Sequence, residues 1–246
     1  MDASKTDKEV QSVGEFISRL DEHATGKRRL YRGQNVDKPL LPKIMRLADK
    51  YSIDPRDIDA IERKMLKRFA EESEPMRRHQ RKLTDWELMS VAQHWGMPTR
   101  LLDWTANPLA ALWFAVSVES CHHGDHGVVW MVEGPDEKNF REHDDVFKLP
   151  TTRFFKPPHL DRRIIAQSSW FSAYRHNRET FLPLEKQKKY SDRLTRFIIA
   201  GDRFQSLRRE LRLLGVHHLA MFPDLEGLSR EIEAEFRDTV SRPAPK

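Results

Sequence analysis

The densest chemistry in the chain is the run "AQHWGMPTRLLDWT" at positions 92–105, which holds Gln93, His94, Thr99, Arg100, Asp103 and two tryptophans among leucines. Gly96 and Pro98 interrupt it. A helix end followed by a plain turn would need only the leucines and the glycine. Thr99 and Arg100 have the makings of an anion site, because a guanidinium forks onto carboxylate or phosphate oxygens through two parallel hydrogen bonds. Asp103 could orient that arginine or act as a base. The structural alternative is an internal Arg100–Asp103 pair that staples the connection, with Trp104 packed beneath it. His94, beside Gln93 near a helix end, could equally do no more than satisfy a carbonyl.

"YRGQ" at 31–34 repeats this vocabulary: Arg32 at the end of a strand, next to a glycine that lets another backbone or a ligand approach closely. A surface ion pair is the plain alternative for Arg32. "CHHGDH" at 121–126 offers a thiol, three imidazoles and a carboxylate, yet its spacing fits no closed zinc site, and no metal is expected. The basic patches "RRHQRK" at 77–82 and "QSLRREL" at 205–211 read as solvated faces or as tracks for phosphates. No GxGxxG, Walker loop, HExxH, GxSxG or cysteine nucleophile motif occurs, so the familiar hydrolase, kinase and dehydrogenase readings have no support.

The elements that must position these residues follow from periodicity and caps. Val13, Phe16, Ile17 and Leu20 predict an amphipathic helix over 10–22, and "KRRLYRGQ" a short strand ending at Gly33. Asp54 as a cap, Pro55 at the first helical position and the stripe Ile58, Ile61, Met65, Leu66 and Phe69 predict a second helix. Thr84 and Glu87 stand in capping-box register before another, which stops at Gly96. The eleven residues from there to Pro108 read as a connection, the kind of segment on which a scaffold presents a site. Asn107 and Pro108 then open "PLAALWFAVSV", a helix apolar nearly all round and therefore buried. "HGVVWMVEG", "RRIIAQSSWFSAY" and "RLTRFIIAG" read as strands or extended segments. "RFQSLRRELRLLG" and a terminal helix through Leu228, Ile232 and Phe236 close the chain. Helices crowd the first half and strands the second. The expected fold is one mixed α/β (α+β) domain over residues 10–238, a helical N-terminal half packed on a small central sheet, with 1–9 and 239–246 as tails.

The 246 residues suffice for a real core, and a composition of 38% hydrophobic and 33% charged residues, with mean hydropathy −0.72, keeps the chain in the folded class. No apolar run approaches a membrane span and no signal-peptide pattern opens the chain, so a cytosolic protein with no membrane partner is expected. The single Cys121 excludes an internal disulfide and multi-cysteine metal sites. Net charge +5 and pI near 9.3 permit a polyanionic partner or a phosphate-rich ligand.

Taken together, "YRGQ", "LLPKIMR", "EESEPM", "AQHWGMPTRLLDWTANPLAALWFA", "RIIAQSSWF" and "FPDLEGL" give a pattern that resembles the FRG domain family over roughly residues 12–232. The chain departs from that pattern at Ser168 and Ser169, where a bulkier or glycine-containing pair is expected. The resemblance implies an ADP-ribosyltransferase-like fold and an enzyme that transfers ADP-ribose from NAD, with DNA, RNA or protein as acceptor, in a toxin or anti-phage setting. It further implies Arg32 as the anchor for pyrophosphate or ribose and Arg100 as a second anchor. Tyr31 or Trp104 would stack on a ring, and Gln34, Gln93 and Thr99 would bond ribose hydroxyls or the carboxamide. His94 and Gln167 complete the expected binding set. Related transferases place a glutamate on a late strand, and "RLTRFIIAG" has none, so Asp103 is the first candidate for the catalytic carboxylate, followed by Glu226 and Asp224. The competing reading is a non-catalytic nucleotide or nucleic-acid binding module.

Overall fold

The computed structural model describes residues 7–22, 25–76, 83–118, 126–137, 144–157, 163, 166–176 and 179–240. Seven strands, β1 (Asp7–Glu9), β2 (Arg29–Gln34), β3 (Leu101–Thr105), β4 (His126–Glu133), β5 (Arg153–Phe155), β6 (Ser169–Ala173) and β7 (Leu194–Ala200), form one sheet in the order β1-β7-β4-β2-β3-β6-β5. Only the β1–β7 pair is parallel. Eight α-helices surround it among the described residues: α1 (Val13–Asp21), α2 (Lys43–Lys50), α3 (Ile58–Ser73), α4 (Asp85–His94), α5 (Pro108–Val116), α6 (Phe204–Leu213), α7 (His218–Met221) and α8 (Leu225–Val240). The mixed α/β class is therefore the one expected from sequence. Its layout differs: strands from both halves of the chain interleave, and helices cover both faces of the sheet.

Side-chain alternation along the central strands builds the two layers. On β4, Val129 and Met131 join Tyr31, Phe197 and Ile199 beneath α1, α5 and α6, while Val128, Trp130 and Val132 join Leu30 and Trp104 beneath α2. A third cluster, around Trp86, Met89, Leu101 and Phe171, holds α4 to the outer strands. The helix starts are specified locally. Ser12 Oγ accepts from the Glu15 amide at 3.1 Å, Thr84 and Glu87 close a reciprocal capping box, and Asn107 Oδ1 accepts from the amides of Leu109 and Ala110. Gly33 allows α5 to lie directly on β2, since a Cβ there would stand 1.8 Å from the Ala111 carbonyl oxygen. The close approach anticipated at this glycine is thus to another backbone.

Four expectations are corrected. The connection after Gly96 is half strand: β3 pairs residue by residue with β6, from Leu101↔Ala173 to Thr105↔Ser169, and all of its side chains are buried except that of Asp103. Of the extended segment expected in "RRIIAQSSWFSAY", the described residues form a strand only over Ser169–Ala173, and before it the Gln167 amide bonds the Arg163 carbonyl. Residues 7–9, expected to lie in a tail, form β1, and the rest of that tail and residues 241–246 lie outside the described residues. The terminal helix does not dock through Leu228, Ile232 and Phe236, which are exposed; Gly227 and Glu231 face the body instead. The patch at 77–82 and most of "CHHGDH" also lie outside the described residues.

Candidate functional site

The residues singled out in β2 and β3 meet in one cleft of about 330 Å³, walled by Tyr31, Arg32, Gln93, His94, Asp103, Trp104 and Gln167 together with Thr105, Phe114, Arg163, Ser169 and Phe222. Sheet order explains the meeting. β2 and β3 are neighbours, joined through Tyr31↔Thr105, so the exposed end of β2 brings Arg32 beside Asp103. Arg32 Nη1 donates to the Asp103 carbonyl at 2.8 Å and lies 3.7 Å from its carboxylate Oδ2. Asp103 Oδ2 accepts from Gln93 Nε2 at 3.0 Å, Gln93 Oε1 accepts from the Thr99 hydroxyl at 2.6 Å, and Thr99 Oγ1 accepts from the Leu101 amide at 3.1 Å. This chain of donors and acceptors sets both the side of the strand on which Asp103 presents its carboxylate and the rotamer of Gln93.

Arg32 is the polar group with most to gain from a ligand. Its side chain is 15% exposed, and its buried Nε has no hydrogen-bond partner among the described residues. Burial pulls the guanidinium below its ordinary value, the Asp103 carboxylate opposes that fall, and the nearby Arg46 cation adds to it. An unmet buried donor of this kind costs free energy until an acceptor arrives. Asp103, by contrast, is more than half exposed, available to whatever enters the cleft.

The opposite wall is carried by a residue that the sequence reading passed over. Arg163 pairs with Asp224 at 2.5 Å and Glu226 at 3.2 Å, and its guanidinium lies 5.0 Å from the Phe222 ring centre. The bonds to these carboxylates hold it above its ordinary value. Gln167 Nε2 donates to the Met221 carbonyl at 3.0 Å and its own carbonyl accepts from Thr105, which ties this wall to β3. Ser168, just before β6, adopts φ +47°, the left-handed region that glycine enters most easily. That conformation gives a physical reason for a glycine in the corresponding pair of the family pattern. Arg163 opens the quoted "RIIAQSSWF", four residues before Gln167, and nothing in that spacing marks it as a residue of the cleft.

Four expected site residues stand elsewhere. Arg100 is 1% exposed and is no ligand anchor: its backbone amide donates to Glu62 at 2.6 Å, its side chain to Glu62 at 2.8 Å and to Asp59 at 2.6 Å. It does not staple Asp103 either. Thr99 is fully buried and acts on the cleft only through Gln93. Gln34 leaves the cleft to donate to the Lys38 carbonyl, and its own Oε1 is buried without a partner among the described residues. Glu226 sits in the first turn of α8, between the guanidinium groups of Arg163 and Arg230, behind the cleft wall. Trp104 and Tyr31 line the cleft but are 3% and 5% exposed, and the Trp104 indole donates to Ser172, which leaves little ring face for stacking. His94 stands on the rim with its ring edge-on to the exposed Trp95.

Asp59, Glu62 and His176 bring three possible metal-ligand atoms within 4.8 Å of one another. The Arg100 guanidinium, 2.6 Å from Asp59 and 2.7 Å from Glu62, already supplies the positive charge that a metal would bring.

Comparison with known proteins bears on the first half of the chain. Residues 27–124 match the family model of the FRG domain, a span from just before β2 to beyond α5 that includes Arg32, Gln93 and Asp103. No curated protein and no solved structure matches the chain.

Proposed function

We propose, taking the FRG-domain match over residues 27–124 as the premise, that the cleft of Arg32 and Asp103 binds the nucleotide portion of NAD and transfers ADP-ribose to an acceptor. The observation that carries this reading is the pairing of a largely buried arginine, whose Nε–H has no acceptor among the described residues, with an exposed carboxylate on the neighbouring strand. Arg32, with Arg163 across the cleft, would hold phosphate oxygens. In the transfer, the bond between the ribose C1 carbon and the nicotinamide nitrogen breaks and its electron pair leaves with neutral nicotinamide. Positive charge develops at C1, and Asp103 stands to stabilise it and to take the proton that the acceptor loses as its new bond to C1 forms. Gln93 and Thr99 position that carboxylate. The basic charge of the chain favours a nucleic-acid acceptor, and the resemblance to the FRG family supports a toxin or anti-phage effector.

A second reading, a nucleotide-binding module without catalysis, draws on the same contacts. Asp103 is already engaged by Gln93 and by the arginine beside it, an arrangement that a purely structural carboxylate would also show. Incubating the protein with NAD labelled on its adenylate half, together with DNA, RNA or cell protein, separates the two. Label on one acceptor class with wild type, and none with Asp103→Ala, establishes the transferase. NAD that binds and remains intact after long incubation leaves the binding module.

A further inference from the structure

A second hollow, of about 230 Å³, lies between α5, α6 and α8, on the far side of Trp113 from the candidate cleft. Its described lining contains the guanidinium groups of Arg208, Arg209, Arg212 and Arg237 and the imidazoles of His217 and His218, and no carboxylate. Three of the arginines come from one face of α6, with Gln205, at positions i, i+3, i+4 and i+7. At 1.5 Å per residue this row is about 10 Å long, more than one phosphate group needs.

Two of these cations are fixed in advance from behind. Arg208 Nη1 donates to the carbonyls of Val116 and Val118 at the end of α5, and Arg212 is held 3.0 Å from Glu231, which also stands 3.1 Å from His217 Nδ1. Arg237 pairs along α8 with Glu233. The Arg209 side chain is exposed and has neither an ion pair nor a hydrogen bond among the described residues. Glu231 and Glu233 thus balance Arg212 and Arg237, carbonyl oxygens hold Arg208, and Arg209 stands without a carboxylate partner among the described residues, at a preorganised, concave surface. We propose that this hollow is an anion site for two linked phosphate groups, carried either by a phosphodiester strand or by a free pyrophosphate compound. It does not depend on the NAD reading of the first cleft, because it uses none of its residues.

The test is binding without turnover. A fluorescein-labelled single-stranded oligonucleotide is titrated by anisotropy at several salt concentrations, and inorganic pyrophosphate by calorimetry, against wild type, Arg209→Ala/Arg237→Ala and Arg32→Ala. The double variant should bind the cognate ligand about tenfold more weakly or worse, with its salt slope reduced by about 1 to 2, while Arg32→Ala retains the binding. Binding of the oligonucleotide assigns the phosphates to a strand, and binding of pyrophosphate alone assigns them to a free compound. If circular dichroism shows the double variant misfolded, Arg209→Ala alone should still weaken binding about threefold, since that side chain supports nothing else. Wild type that binds neither ligand, or a folded variant that binds as tightly as wild type, overturns the proposal.

Discussion

Arg32 and Arg100 carry the same functional group at the ends of similar short motifs, and the structure uses them in opposite ways. Arg32 has an unmet Nε–H on a cleft wall, whereas every face of Arg100 is engaged by Glu62, Asp59 and the Val146 carbonyl. Chemistry alone could not tell them apart, because the fork that binds phosphate binds a glutamate equally well. The distinguishing sign lay upstream, in Glu62, which falls on the buried face of α3 between Ile58 and Leu66 where an apolar residue belongs. A charged residue in such a stripe announces an internal partner. Arg32, Gln93 and Asp103 were legible because they share dense motifs; Arg163 was not, because only the folded chain brings it opposite them. Arg32→Ala is expected to weaken nucleotide binding about ten- to a hundredfold, the equivalent of a charged hydrogen bond, as read by calorimetry with NAD or ADP. Thr99→Val removes the hydroxyl that fixes Gln93 and leaves the Leu101 amide without its acceptor. It should cost about 1–3 kcal/mol in urea denaturation and lower turnover without touching substrate.

At the scale of elements, the caps and periodicities found the helices, and the failures came where tertiary pairing overrides local character. Residues 101–105 look like a loop because Asp103 and two leucines break any simple alternation, yet five paired positions on β6 make them a strand. The exposed row of Leu225, Leu228, Ile232 and Phe236 shows the converse. Amphipathicity identified a helix in α8 correctly and its inward face wrongly, since Gly227 and Glu231, the latter paired with Arg212, are the residues that face inward. The contact between α5 and β2 gives the sharpest test at this scale. Gly33→Ala forces a methyl group into the Ala111 carbonyl and should destabilise the protein by about 3 kcal/mol or more, with loss of the cleft, measurable as a lowered denaturation midpoint.

At the scale of the whole molecule, the buried cluster that secures α3 to the start of β3 is expected to contribute acid sensitivity. Burial alone would raise the Glu62 carboxyl, but His176 and the Arg100 guanidinium beside it outweigh that and hold it below its ordinary value. His176 Nε2 stands 3.4 Å from Glu62 Oε2, an ion-pair distance with poor hydrogen-bond geometry, so Arg100 is the firmer partner. A carboxyl depressed on folding contributes stability that is fully present above the unfolded value near 4.5 and is lost as pH falls through the lower folded value. Stability measured by urea denaturation should therefore fall as pH drops below about 4.5, and less steeply in Glu62→Gln. Glu62→Ala, which strands the Arg100 charge in the interior, should cost about 3–5 kcal/mol at neutral pH.

Of the six tryptophans in the chain, five are 3–7% exposed, and only Trp95 reaches solvent, at 73%. Trp95 is edge-on to His94 on the rim of the cleft. Spectroscopically the molecule is therefore divided in two: five emitters shielded in the body report folding, and one quenchable emitter reports the mouth of the site. Iodide should extinguish the red-shifted part of the emission alone, and a ligand seated against His94 should protect that part, so the unlabelled protein carries its own optical readout of occupancy.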